Sequence, residues 1–368
     1  MIFICVFAGL VVLLVIDKIM GSFENSNVSN EGRRRYIHLW EYECSRKRRI
    51  VANQKYPLFY CVKDSVMENK MVEFSIDENA FIIPSKMYDN ADMVLAFLGD
   101  STTECALVDP QNRFPYLVGR ILEERTGKKI NSYNAGYSGA NSYSILLSLV
   151  CKIIPLKPDK IFYCSSFHDI MFLTTHDDFY SSCSERVNVY SDEQLANGLW
   201  RRCQKVIRML FPNIYLKLYI FKEKIFDRKK REIEPNEIRI ISQTKKKEML
   251  KYVEMNINSF VDICKNVDIE PILMTQVNNF RLAEKNTYIM EIYKTMLEEV
   301  IHISFADFAE LFDSVNKLVR KIAKDKGVQL IDLDLEIPKE RDCIYDLVHF
   351  TDKGSRIAAE YIADAIRI

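Results

Sequence analysis

From residue 91 onward the chain alternates short apolar runs with amphipathic helical patterns, and that rhythm limits the fold more than any other feature. Runs suited to strands fall at 93–98 (MVLAFL), 130–134 (INSYN), 160–164 (KIFYC), 271–275 (PILMT) and 328–333 (VQLIDL). Helical periodicity occupies 114–126, 142–153, 246–266, 285–300, 308–326 and 353–366. In the last of these, Ile357, Ala358, Tyr361, Ile362 and Ala365 share one apolar face. Strands alternating with helices predict an α/β fold, a doubly wound parallel sheet of five strands with helices on both faces. Functional groups of such a sheet lie beyond the carboxyl ends of its strands.

Bulk composition excludes several classes. The 368 residues are 48% hydrophobic and 28% charged, which describes an ordinary globular chain. Lys+Arg and Asp+Glu both total 51, so charge gives no reason to expect nucleic acid as a partner. Ten cysteines are scattered without a C-x-x-C pair, which argues against a zinc ribbon or a dithiol redox site. They read as mostly free, buried thiols, a pattern that leans toward a reducing compartment. No cofactor is called for.

The N-terminus has a different character. Residues 1–20 open with sixteen uninterrupted apolar residues, Met1 to Ile16, and no basic residue precedes Lys18. The run suits a single uncleaved transmembrane anchor rather than a buried core helix, and the lack of a basic n-region and of a clear cleavage site argues against a cleaved signal peptide. Residues 21–35 read as a polar linker, and the Asn27-Val28-Ser29 sequon within it is a common chance match. Residues 36–90 form an accessory segment, with a small β element expected around the turn signal Asp77-Glu78-Asn79. The main domain then spans 91–368, with an insertion at about 170–245 where one helix and a loop would suffice. Inside it, 199–231 mixes Trp, Phe, Leu and Ile with many Lys and Arg. It is either a solvated helix pair covering the site or a basic amphipathic element on an anionic membrane surface. Lys18 and Arg33 to Arg35 all follow the apolar run, so the positive-inside rule puts the body in the cytoplasm.

Four separated stretches carry chemistry. The first strand runs into Gly99-Asp100-Ser101, where a plain turn would need only the glycine and one polar residue. A nucleophile at the end of a parallel strand would use Gly99 for the exit, Asp100 to hold the loop and Ser101 to attack. Near the other end, Asp346 and His349 lie three apart before the final helix. A carboxylate there can fix the imidazole tautomer and free its other nitrogen for a serine, although such residues also commonly cap helices. After the second strand, Asn134-Ala135-Gly136-Tyr137-Ser138-Gly139 allows close backbone approach and an amide aimed at an oxyanion. After the third strand comes Ser166-Phe167-His168-Asp169. A metal reading of His168-Asp169 with His176-Asp177-Asp178 fits no familiar ligand spacing.

In order and strand context these four blocks resemble the SGNH/GDSL hydrolase family, over residues 91–368. The resemblance implies a flavodoxin-like SGNH hydrolase fold with Ser101 as nucleophile and Asp346 and His349 completing a triad. It also implies an oxyanion hole built from the amides of Ser101 and Gly139. The third block departs from the family pattern, which reads Gly-x-Asn-Asp with the asparagine donating to the oxyanion. Here His168 stands at that place, either as a substitute donor or with the role lost. The implied activity is a serine esterase that removes an acyl group, such as acetyl, from a glycan or lipid through an acyl-serine. An O-acyltransferase on an envelope polysaccharide and a catalytically weak binding protein are the alternatives. Anchored relatives place the body outside the cytoplasm, opposite to the flanking charge.

Overall fold

In the computed structural model of the chain, residues 70–175, 240–285 and 301–366 are described, with 35–37, 41–42, 44–51, 189–191 and isolated positions besides. The expected anchor at 1–20, the linker up to residue 34, the basic stretch 199–231 and most of the 170–245 insertion lie outside them. Among the described residues, no helix is long and apolar enough to cross a membrane.

The strands in chain order are β1 (Arg35–Ile37), β2 (Lys47–Val51), β3 (Met71–Ser75), β4 (Met93–Gly99), β5 (Ile130–Asn134), β6 (Lys160–Cys164), β7 (Val189–Ser191), β8 (Glu270–Met274) and β9 (Gln329–Ile331). The principal helices are α1 (Ser101–Glu104), α2 (Phe114–Thr126), α3 (Ser142–Ser148), α4 (Phe167–Thr175), α5 (Gln243–Asn266), α6 (Phe305–Lys326) and α7 (Asp352–Ala365). β1 pairs antiparallel with β7 in a small unit of its own, spanning 1–38 and 189–224.

The main sheet has five parallel strands in the order β5-β4-β6-β8-β9. The chain goes outward from β4 to β5 and then returns past β4 to β6. The crevice at this reversal is where ligands of open α/β sheets bind. Both faces of the central strands are covered, which explains their unbroken apolar runs. On one face Phe97 of β4 stacks on its register partner Phe162 of β6, with centroids 4.2 Å apart. Phe114, Val118 and Leu122 of α2 and Ala358 and Ile362 of α7 close over them. On the other face Tyr163 meets Phe260 of α5 at 5.2 Å. Each fully buried side chain of this size stabilises the fold by about 1.5–3 kcal/mol.

Element ends differ from the expected ones where polar side chains intervene. The helix expected from 308 starts at Phe305 because the Ser304 hydroxyl accepts from the Asp307 N–H at 3.0 Å. Ser242 likewise starts α5 at Gln243. The helix expected over 142–153 keeps α geometry only to Ser148. It then widens into a π turn at Leu149–Ile153, ahead of Pro155, which has no N–H to donate. The strand expected over 328–333 stops at Ile331, where Asp332 caps a short helix, Leu333–Glu336. The helix expected at 285–300 falls on residues described only in part.

The accessory segment forms the expected small β element. β2 and β3 pair antiparallel, and Asp77 Oδ1 accepts from the N–H groups of Asn79 and Phe81, both at 2.8 Å. Ile82 bridges Asn134, so this segment covers the β5 edge of the main sheet. Its side chains build a second core of Ile50, Met67, Phe74, Ile76 and Ile82 that also takes in Leu107 and Tyr345. Arg113 fastens it. Its buried guanidinium donates to the carbonyls of Ile83 (2.6 Å), Glu73 (3.1 Å) and Cys105 (3.3 Å) and lies over the Phe74 ring. Loss of solvation on burial lowers its pKa to about 10.

Removing that fork strands three buried carbonyls. Arg113→Ala is expected to lower unfolding free energy by about 3 kcal/mol, read as a lower urea midpoint at unchanged m. Arg113→Lys should recover little, because one ammonium cannot match a planar five-donor fork. A midpoint unchanged in Arg113→Ala would show that the fork does not hold the accessory segment.

Candidate active site

Beyond Gly99 the chain enters α1, four residues long and buried throughout. Asp100 caps it, its Oδ1 accepting from the Thr102 N–H at 2.9 Å. Ser101 is therefore the first helical residue, with a backbone N–H that has no acceptor inside the helix.

The loop ahead of α7 brings two residues to Ser101 from the far end of the chain. The Val348 and His349 amides donate to Asp346 Oδ1 at 2.9 and 2.8 Å. That leaves Asp346 Oδ2 facing His349 Nδ1 at 2.6 Å, while His349 Nε2 lies 2.7 Å from Ser101 Oγ. A carboxylate only accepts, so the imidazole proton sits on Nδ1 and Nε2 accepts from the serine hydroxyl. Asp346 and His349 do not cap the final helix; Thr351 does, accepting from Gly354 N–H at 3.1 Å. Burial pulls the His349 pKa down, but the Asp346 charge and hydrogen bond, with Asp100 and Glu104 adding, raise it overall. The Tyr345 ring stacks against the imidazole at 5.8 Å.

The Gly136–Gly139 loop is laid against α1. Ala135 N–H donates to Phe97 O (2.9 Å), Gly136 N–H to the Asn134 side chain (2.9 Å) and Tyr137 N–H to Gly99 O (3.0 Å). A Cβ on Gly136 would sit 2.4 Å from the Glu104 backbone nitrogen, so only glycine allows this approach. Gly139, half-buried at φ +92°, takes no part in those bonds. His168 is the second residue of α4, half-buried, its ring 5.5 Å from Phe167. Thus Ser101, His349 and Asp346 are joined directly, while Gly139 stands on the loop leaving β5 and His168 in the first turn of α4 after β6, β5 and β6 being the two neighbours of β4.

Two buried carboxyls lie beneath this assembly. Asp169 accepts from Ser142 N–H (2.8 Å) and Ser165 Oγ (3.0 Å), which ties the start of α4 to the start of α3. Asp100 is held by Gln276, whose Nε2 lies 2.9 and 2.8 Å from its two oxygens and 2.7 Å from Thr102 Oγ1. The Gln276 Oε1 accepts from Phe167 N–H at 2.8 Å. Burial raises both acids to about 6, against the opposing pull of these hydrogen bonds. Gln276 and Tyr345 escaped the sequence reading. Gln276 follows directly on the PILMT run, so its place at a strand's carboxyl end was the available signal.

His176 and Asp177 lie outside the described residues, and the Asp169 carboxylate is committed to Ser142 and Ser165. Glu340, Asp342 and Cys343 form a cluster of ligand-type atoms among the described residues, but Asp342 already pairs with Lys353. Six cysteines among those residues are free, and Cys105, Cys164, Cys264 and Cys343 of them are buried.

No family model and no curated protein matches the chain. Solved structures similar to it include an acetylxylan esterase from Geobacillus stearothermophilus, 17% identical, covering 77% of this chain and 97% of its own, with TM-score 0.42. An α/β hydrolase enzyme from the metagenome of Lake Arreo, Spain, is 15% identical over 76% of this chain and 97% of its own, at TM-score 0.41. A protein assigned as a GDSL-like lipase from Parabacteroides merdae is 14% identical over 76% of this chain and 98% of its own, at TM-score 0.44.

Asp100 and Asp169 titrate near 3.8 when unfolded and near 6 when folded. Between those values the folded protein keeps protons that the unfolded chain has lost, so stability falls as pH rises from 4 to 6, by about 3 kcal/mol per group. His349 has the same sign: its raised pKa adds stability below about 6.5 that is lost as pH rises through the folded value. Thermal midpoints should therefore decline between about pH 4 and 7, and decline less in Asp169→Asn. Equal declines in the two proteins would mean that Asp169 does not titrate in this window.

Proposed function

We propose that the chain is a serine ester hydrolase of SGNH/GDSL type, acting through an acyl-serine on esters of a glycan or lipid hydroxyl. The observation that carries this reading is the hydrogen-bonded series from Asp346 through His349 to Ser101 at the sheet's crevice. His349 Nε2 takes the hydroxyl proton as Ser101 Oγ bonds to the ester carbonyl carbon. Collapse breaks the bond to the alcohol oxygen, which receives that proton from Nε2. Water then repeats the sequence, giving its proton to His349 and its oxygen to the acyl carbon, and Ser101 is restored. Asp346 keeps the imidazole in the required tautomer and favours its transient positive charge. The Ser101 and Gly139 amides and the His168 ring donate to the oxyanion, His168 in place of the asparagine usual in the resembled family. The apolar run at residues 1–20 supports action at a membrane.

A fluorophosphonate probe should label the full chain and fail to label Ser101→Ala and His349→Ala, with ester turnover in both reduced by about 10³-fold or more. A folded wild-type protein that takes no label would overturn the reading.

His168 has a separate test. His168→Ala should lower kcat by about 10²–10³ at little change in KM, as expected for a donor engaged only in the transition state. His168→Asn should recover most of that loss. Equal kcat in the wild type and His168→Ala would remove the residue from the oxyanion hole.

A further inference from the structure

The region beside Ser101 raises the question of what acyl group it would take. Ser101 and His349 open onto a cleft of about 310 Å³, counted out to solvent, whose other walls include Glu104, Leu107, Val108 and Tyr345. These walls are fixed from behind. Val108 belongs to the main core with Phe114 and Phe350. Leu107 and Tyr345 belong to the accessory core with Ile50, Phe74 and Ile82, and only 1% and 4% of their surface is exposed. The Glu104 side chain is covered by Tyr42, whose hydroxyl donates to Oε1 at 2.5 Å while its ring lies on Phe74 and Tyr137. The turn that carries the cleft wall is pinned as well. Arg113 grips the Cys105 carbonyl and two carbonyls of the accessory segment, and Asp109 N–H donates to Asp352 at 2.9 Å.

An elongated acyl chain would need one wall to retreat, and a close-packed interior retreats only at a cost of kilocalories. A carboxylate in the wall also disfavours an alkyl tail, whose burial against it would replace polar solvation with nothing. Resting on the esterase reading, we propose that this cleft is the acyl site and that Leu107 and Tyr345 close its end, so that the enzyme takes acetyl-sized acyl groups and rejects longer chains. The accessory segment thereby becomes the specificity element. It contributes no group to the chemistry and sets how deep the acyl pocket can be.

The test compares turnover of p-nitrophenyl acetate, butyrate and octanoate by the full chain and by Leu107→Ala and Leu107→Val. The expected order has acetate ahead of butyrate by about tenfold or more and octanoate lower still. Leu107→Ala should raise the butyrate-to-acetate ratio several-fold, and the milder Leu107→Val should move it in the same direction. Labelling of Ser101 together with equal rates on acetate and octanoate would overturn the pocket and leave the serine chemistry standing. An acyl-length ratio unchanged in both folded Leu107 variants would do the same. Absence of both labelling and turnover would overturn the pocket and the esterase reading together.

Discussion

A buried carboxylate with no lysine or arginine ion pair among the described residues sits at the centre of this site, and the surrounding structure is arranged to hold it. Asp100 is fully buried, and its oxygens are met by one backbone amide and by the Gln276 side-chain amide. Neutral donors satisfy the lone pairs without cancelling the charge, so burial still raises the acid to about 6. Such a group tolerates little movement, since losing one donor exposes the desolvation cost already incurred. Gln276 is accordingly fixed at both backbone ends by Asn316, which donates to its carbonyl at 2.9 Å and accepts from its N–H at 3.1 Å. The same glutamine accepts from Phe167 N–H, so one side chain sets the positions of both α1 and α4.

The accessory segment works by a different means. Its contacts to the main domain include backbone carbonyls gathered by Arg113, an edge bridge at Ile82, and aromatic packing of Tyr42 on Tyr137 and of Phe81 on Tyr133. Lys152 adds a clamp: Nζ donates to Glu41 at 2.6 Å and Ala80 O at 2.8 Å and lies over the Phe81 ring at 4.3 Å. These interactions are individually modest. Together they turn an open edge of the sheet into a second core that reaches Leu107 and Tyr345, the residues flanking Ser101 and His349.

What could be read from the sequence divides along the same line. The five strands and their helices follow from local periodicity, and four of the five strands both begin and end within a residue of the expected places because unbroken apolar runs have sharp polar borders. Helix starts at Phe305 and Gln243 were missed by three residues, since a serine cap outranks the first apolar position. Ser101, Asp346 and His349 were conspicuous because they interrupt apolar sequence at strand and helix borders. Arg113 and Tyr42 were not, because nothing local distinguishes them, and Gln276 had only its place after a strand to mark it. Apart from Cys105, eight positions from Arg113, their hydrogen-bond partners lie 30 to 176 positions away in the chain, as with Arg113 and Ile83 or Gln276 and Asp100.

The charges around His349 connect these parts. Asp346, Asp100 and Glu104 all raise its pKa, and reciprocally a protonated His349 lowers that of Asp100. In the proposed mechanism, the positive charge on an imidazole that takes the serine proton would be favoured first by the hydrogen-bonded Asp346 carboxylate and then by Asp100. A proton on His349 and a proton on Asp100 therefore disfavour each other. Gln276 can remain beside Asp100 in either protonation state because it is a neutral amide, whereas a lysine or arginine there would hold it permanently ionised.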